Sequence, residues 1–136
     1  MRIFLFIFAT LMSISTAFRR STTLRMGLFD SFFGPKPTAA ASHILMKGKE
    51  SIPTLEKVKA EVTAAKDMRA AFAEKAAKLS TCPSAKKGGD LGTFSKGAMV
   101  PAFDKVVFSE AVGVVHGPVA TPFGYHLILT HERKEP

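Results

Sequence analysis

The residues from Cys82 to Phe108 constrain the fold of this chain more than any other stretch. They open with turn chemistry, Pro83 and then Gly88-Gly89-Asp90. They close on Phe103, Val106, Val107 and Phe108 at helical spacing behind Pro101. Between these ends, Leu91, Phe94 and Met99 set large apolar groups on backbone loosened by Gly92 and Gly97. A solvated loop has no use for so many apolar side chains, and so much glycine breaks a long helix. Such a segment builds the wall of a pocket.

The flanking chain supplies a sheet and helices for that wall to lean on. Ala39 to Lys47, with His43-Ile44-Leu45-Met46 at its centre, predicts a strand, and Gly48-Lys49-Glu50 turns out of it. Leu55, Val58, Val62 and Ala65 repeat along one helical face, predicting a helix over 55–66 capped by Ser51 or Thr54. Asp67 reads as the N-cap of a second helix, Met68 to Ser80, that buries Phe72, Ala76 and Leu79. A loop over 81–89 and an extended piece over 91–94 follow, then a helix over 102–110 opened by Pro101. Val119-Ala120-Thr121 and Tyr125 to Thr130 predict a hairpin around Pro122-Phe123-Gly124. The class is α+β, a small sheet whose first and last strands come from the two ends of the domain.

The N-terminus reads as an address. Residues 3–17 are an apolar run behind Arg2 that tapers to Ser15-Thr16-Ala17. That run is shorter than the about 20 apolar residues of a membrane span and fits a cleavable signal peptide over 1–17. Residues 18–25, Phe-Arg-Arg-Ser-Thr-Thr-Leu-Arg, are hydroxylated, basic and free of acids, as transit peptides are. Signal peptide, Ala17-Phe18 junction and transit-like segment together resemble the bipartite presequence of algal plastids with several envelopes, so plastid is the expected location, with secretion as the alternative. Residues 26–38, with Gly34, Pro35 and Pro37, read as a flexible linker before a domain over 39–136.

Charge points to no polyanionic partner. Of the net +8, the first 25 residues hold four arginines and no acid. The remaining 15 basic and 11 acidic residues leave only +4, too little to indicate nucleic-acid binding. The lone Cys82 excludes an intramolecular disulfide framework.

Four polar residues stand in apolar surroundings: His43, Cys82, Thr121 and His126. Taken singly, each histidine is a core residue satisfied by a neighbour, and Cys82 a small buried hydrophobe. Together they say more, because two strands at the ends of a domain can pair and bring both imidazoles side by side. A metal site would want a third ligand, and neither His116, His131 nor Cys82 stands at a ligand spacing. Cys-His catalysis lacks any surrounding oxyanion-hole pattern.

Several blocks, in order, resemble the parvulin family of peptidyl-prolyl cis/trans isomerases. Ala41-Ser42-His43-Ile44-Leu45-Met46-Lys47 is similar to the family's opening strand, and Cys82-Pro83-Ser84 through Gly88-Gly89-Asp90-Leu91-Gly92 to its central signature. Met99-Val100-Pro101 through Phe103-Asp104 to Phe108, and Gly117-Pro118-Val119 through Phe123-Gly124-Tyr125-His126, continue the likeness across about residues 40–133. The resemblance implies a parvulin-like (FKBP-like) small antiparallel sheet of about four strands with about four surrounding helices. It implies Leu91, Met99 and Phe103 as the cup for a substrate proline ring, and His43, Cys82, Thr121 and His126 as the polar groups beside the amide. The expected activity is non-covalent isomerisation of X-Pro bonds in polypeptides, assisting folding, with no cofactor and no metal. The expected protein is a monomer without nucleic acid and without stable membrane association after processing. A non-catalytic polypeptide-binding module on the same fold is the alternative. Phosphate-directed members carry paired arginines after the first strand. Here Lys47-Gly48-Lys49-Glu50-Ser51 has none, which implies little phosphate preference.

Overall fold

The computed structural model describes residues 34–136. The expected signal and transit segments, and residues 26–33 of the expected linker, lie outside the described residues. Four strands form one antiparallel sheet: β1 (Thr38–Met46), β2 (Asp90–Ser95), β3 (Val115–Thr121) and β4 (Gly124–Lys134), in the order β2-β1-β4-β3. Three α-helices pack on it: α1 (Ile52–Ala64), α2 (Met68–Leu79) and α3 (Pro101–Ser109). Two short 3-10 helices, Lys49–Ser51 and Pro83–Lys87, complete the described elements. The sequence predicts about four helices, and the 3-10 turn at 83–87 falls where it predicts loop.

β1 and β4, the ends of the domain, run side by side through the middle of the sheet. Their register pairs His43 with Ile128 and Leu45 with His126. Side chains alternate across a strand, so each strand sends one set to either face. Ile44, Leu127 and Leu129, with Val115 of β3, pack against Leu55, Val58 and Val62 of α1 and Phe72 and Ala76 of α2. The opposite face packs Ala39, Ala41 and Ile128 against Phe103 and Val107 of α3. Burying residues of the size of Ile44 or Leu127 stabilises by about 1.5–3 kcal/mol each relative to exposure, so both faces contribute to holding the sheet.

Local expectations hold with physically explicable shifts. The Asp67 carboxylate accepts from the Ala70 N–H at 3.0 Å and caps α2. Helix α1 begins three residues earlier than its apolar repeat predicts, with Pro53 in its first turn. Ser51, one of the two predicted caps, stands at the N-cap position, but its hydroxyl makes no capping bond and instead turns back to donate to the Gly48 carbonyl at 2.6 Å. β3 starts at Val115, ahead of Gly117 and Pro118, because an edge strand tolerates proline and the register slips between His116 and Val119.

Two glycines admit close backbone approaches that position the histidines. Gly89 sits at φ +78°, and a Cβ there would lie 2.2 Å from the His43 carbonyl oxygen. Its own carbonyl accepts from the His43 N–H at 2.9 Å. Gly117, at φ +114°, leaves no room either: a Cβ would lie 2.4 Å from the His126 carbonyl oxygen. By contrast Gly92, at φ +66°, has open space around it. Gly92→Ala therefore costs only the left-handed backbone penalty of about 1–2 kcal/mol. Gly89→Ala adds a backbone collision and is expected to lose distinctly more, at least about 2 kcal/mol. Urea unfolding of the two variants checks the order, and equal losses would contradict the close-approach reading.

Candidate active site

Antiparallel register carries the two imidazoles to one place. His43 and His126 occupy diagonal positions on the α3-facing side of the β1–β4 pair, and their Nδ1 atoms lie 3.0 Å apart. The rings are nearly parallel, at 20°, with centroids 5.2 Å apart. Phe103 of α3 stands almost perpendicular to both, its ring centroid 5.7 Å from each. Phe94 and Phe108 extend this aromatic group on the β2 side.

The histidine pair is the middle of a four-membered hydrogen-bond chain. His43 Nε2 lies 3.0 Å from the Ser84 hydroxyl, and His126 Nε2 lies 2.7 Å from the Thr121 hydroxyl. An Nδ1–Nδ1 contact needs one donor and one acceptor, so the two rings take complementary tautomers. One assignment uses every partner. Ser84 O–H donates to His43 Nε2, His43 Nδ1–H to His126 Nδ1, and His126 Nε2–H to the Thr121 oxygen. Thr121 O–H then donates to the Gly124 carbonyl at 3.3 Å, while its oxygen also accepts from the Phe123 N–H at 3.2 Å.

That chain works only with neutral rings. His43 and His126 are 6% and 4% exposed. The pKa of each is lowered from 6.5 to about 4, for His43 by burial and for His126 by burial first and the neighbouring His43 charge second. Desolvation disfavours the imidazolium, and a proton on both facing Nδ1 atoms would leave two donors pointing at each other.

Above the pair opens a cavity of about 400 Å³. Leu91, Met99 and Phe103, the three predicted cup residues, all line it, together with His43, His126 and Cys82. Thr121 reaches it only through His126. Cys82 stands at the wall, and its thiol takes no part in the chain; Ser84, two residues on, holds His43 instead. Sequence reading passes over Ser84 as a turn residue, and it also passes over four residues that line the cavity: Leu45, Lys47, Val100 and the exposed Phe123. The parity of β1 could have found Leu45, since it shares a face with His43. Nothing local marks Ser84. Among the described residues no three His, Cys, Asp or Glu side chains gather as a metal ion would need.

Comparison with known proteins agrees with this architecture. The family model described as Rotamase: PPIC-type PPIASE domain matches residues 43–132. Foldase protein PrsA of Halalkalibacterium halodurans is 43% identical over 96 residues, which are 70% of this chain but only 27% of that protein. The crystal structure of the peptidylprolyl isomerase PrsA from Bacillus anthracis superposes with a TM-score of 0.64 at 34% identity, covering 80% of this chain and 48% of the other. The solution structure of NmPin, the parvuline of Nitrosopumilus maritimus, matches along its whole length, with 37% identity and a TM-score of 0.55 over 73% of this chain. The chain thus spans about a quarter of the PrsA relative and all of the small one.

The lowered imidazole pKa values carry a sign for stability. Between about pH 6.5 and 4 the unfolded chain binds protons at His43 and His126 that the folded chain does not. Stability from the neutral pair is therefore complete above pH 6.5 and is lost as pH falls toward 4, by at most about 1.4 kcal/mol per pH unit for each ring. Imidazole proton resonances followed by NMR are expected to keep both rings neutral at pH 5.5, while the urea midpoint declines from pH 7 to pH 4.5. Either ring titrating near 6.5 would contradict the buried, neutral pair.

Proposed function

Because the chain belongs to the PpiC-type rotamase family, the parvulins, we propose that its domain is a peptidyl-prolyl cis/trans isomerase that assists polypeptide folding without covalent chemistry. One observation carries this reading: an apolar cavity of the three cup residues sits directly over a buried, neutral imidazole pair. Rotation about the X-Pro amide faces a barrier of ~18–20 kcal/mol set by resonance, and uncatalysed exchange takes tens to hundreds of seconds. The catalyst must hold the twisted amide better than either planar isomer.

Twisting removes amide resonance and with it charge separation, so the twisted form loses less than the planar forms when water is excluded. Leu91, Met99 and Phe103 supply that water-poor wall and grip the pyrrolidine ring as the fixed end of the rotation. The floor supports it by staying uncharged. His43 and His126, locked in complementary tautomers by Ser84 and Thr121, present fixed dipoles in place of mobile solvent, which is preorganisation in the usual electrostatic sense. Each ~1.4 kcal/mol of preference for the twisted state is worth tenfold in rate. Cys82 acts as a polarisable wall group: the ring nitrogens of His43 and His126 are all engaged with each other, Ser84 and Thr121, which leaves neither imidazole free to activate the thiol.

Lys47 is the one cationic side chain among the described cavity residues, and no arginine joins it. A dianionic phosphate prefers several converging donors, so uncharged residues before proline are the proposed substrates. The leader over residues 1–25 supports delivery into a plastid, which N-terminal sequencing of protein isolated from its source would test.

A protease-coupled proline peptide assay tests the activity. Met99→Ala and Phe103→Ala are expected to lower kcat/KM roughly tenfold or more, and Cys82→Ser to keep measurable activity. Complete loss in a folded Cys82→Ser protein would argue for thiol chemistry. In the same assay an Ala-Pro or Leu-Pro peptide is expected to turn over at least as well as a phospho-Ser-Pro peptide. A large advantage for the phosphorylated peptide would overturn the uncharged-substrate reading.

A further inference from the structure

Met99 reaches the cavity on a loop, Lys96 to Val100, that few bonds hold. Within it the Lys96 N–H donates to the Pro37 carbonyl at 2.9 Å, and the Ala98 N–H to the Ser95 carbonyl at 3.1 Å. Among the described residues, one side chain ties this loop down: Asp104, whose Oδ1 accepts from the Gly97 N–H at 2.9 Å. Asp104 is only 9% exposed and follows Phe103 directly on α3.

A helix rarely buries a carboxylate without a task for it. Here the end of α3 is already served by backbone: both Phe103 N–H and Asp104 N–H donate to the Val100 carbonyl, at 3.0 and 2.9 Å. The carboxylate is thus spared from capping and reaches back to Gly97. The first-turn position makes its charge tolerable, because the helix dipole favours an anion there. Gly97 itself sits at φ +90° with open space around it, so no packing at that residue holds the loop in shape.

This bond joins two walls of the cavity, the loop that carries Met99 and the helix that carries Phe103. Methionine has three rotatable side-chain bonds and fills whatever gap its backbone offers, so its grip depends on where the loop stands. We propose that Asp104 is a positioning residue that sets the spacing of Met99 and Phe103 and thereby the fit of the proline socket. The inference rests on the isomerase reading above. The wall stays apolar when the loop is released. What loosens is the grip on the pyrrolidine ring, which is the same in the planar and twisted states, so ground state and transition state weaken together. That raises KM and leaves kcat nearly unchanged.

Asp104→Ala, Asp104→Leu and Asp104→Asn, made in the intact chain, test it. Asparagine keeps an Oδ1 acceptor, whereas alanine and leucine remove it, and leucine fills the space should alanine destabilise the fold. Steady-state kinetics on an Ala-Pro peptide and hydrogen exchange at the Gly97 amide are the two readouts. Alanine and leucine are expected to raise KM roughly tenfold with kcat within about twofold, and to expose the Gly97 amide to fast exchange. Asparagine is expected to restore both toward wild type. An unchanged KM in the folded alanine or leucine variant would overturn the inference, as would asparagine behaving like alanine. A wild type inactive on every proline peptide would sink the isomerase reading itself, a failure seen without any variant.

Discussion

The hydrogen bond between His43 and His126 depends on the pairing of β1 with β4, and much of the molecule serves that pairing. The two residues are 83 positions apart in the chain, yet lie 3.0 Å apart because the first and last strands are central neighbours in the sheet. A one-residue slip in their register would turn one imidazole to the other face, among Leu55, Val58 and Phe72. The apolar pattern forbids that slip. Ile44, Leu127 and Leu129 must stay on the helix α1 and α2 side, which commits His43 and His126 to the α3 side.

Burial of the pair has a direct consequence for the chemistry the site can perform. Two histidines near solvent would be a protonatable, general acid–base site around neutral pH. Sealed beneath Phe103 and between Ser84 and Thr121, they are instead a neutral, oriented floor. That suits rotation about a bond, where no proton need move and where a stray charge would favour the planar, charge-separated amide. The thiol of Cys82 sits at this floor's edge without joining it. In the proposed isomerase the polar groups shape the field of the cavity, and its apolar residues supply the grip.

Glycine makes the arrangement physically possible. The backbone of Gly89 packs on the His43 carbonyl and that of Gly117 on the His126 carbonyl, so each imidazole-bearing strand is braced from behind by a segment that could not carry a side chain. These two glycines fall in the Gly88-Gly89-Asp90 turn and the Gly117-Pro118 break, which in sequence read merely as punctuation. Their steric role is tertiary: only the partner strand explains it.

The role of Leu91, Met99 and Phe103 as a cup came from the family likeness alone. The amino-acid sequence by itself determined the strands at both ends, the Asp67 cap, the helix opened by Pro101, and a run of large apolar side chains beside the glycine-rich turn. Those follow from side-chain periodicity and local backbone chemistry, which the chain writes over a few residues. It also suggested, without deciding, that the terminal strands pair. Only the tertiary structure decided that Ser84 rather than Cys82 holds His43, and that residues 83–87 wind into a 3-10 turn. It alone showed Asp104 reaching back to Gly97, and β3 running through Gly117 and Pro118. These depend on which distant groups come within hydrogen-bond distance once the sheet has closed, and no spacing along the chain encodes a contact of that kind.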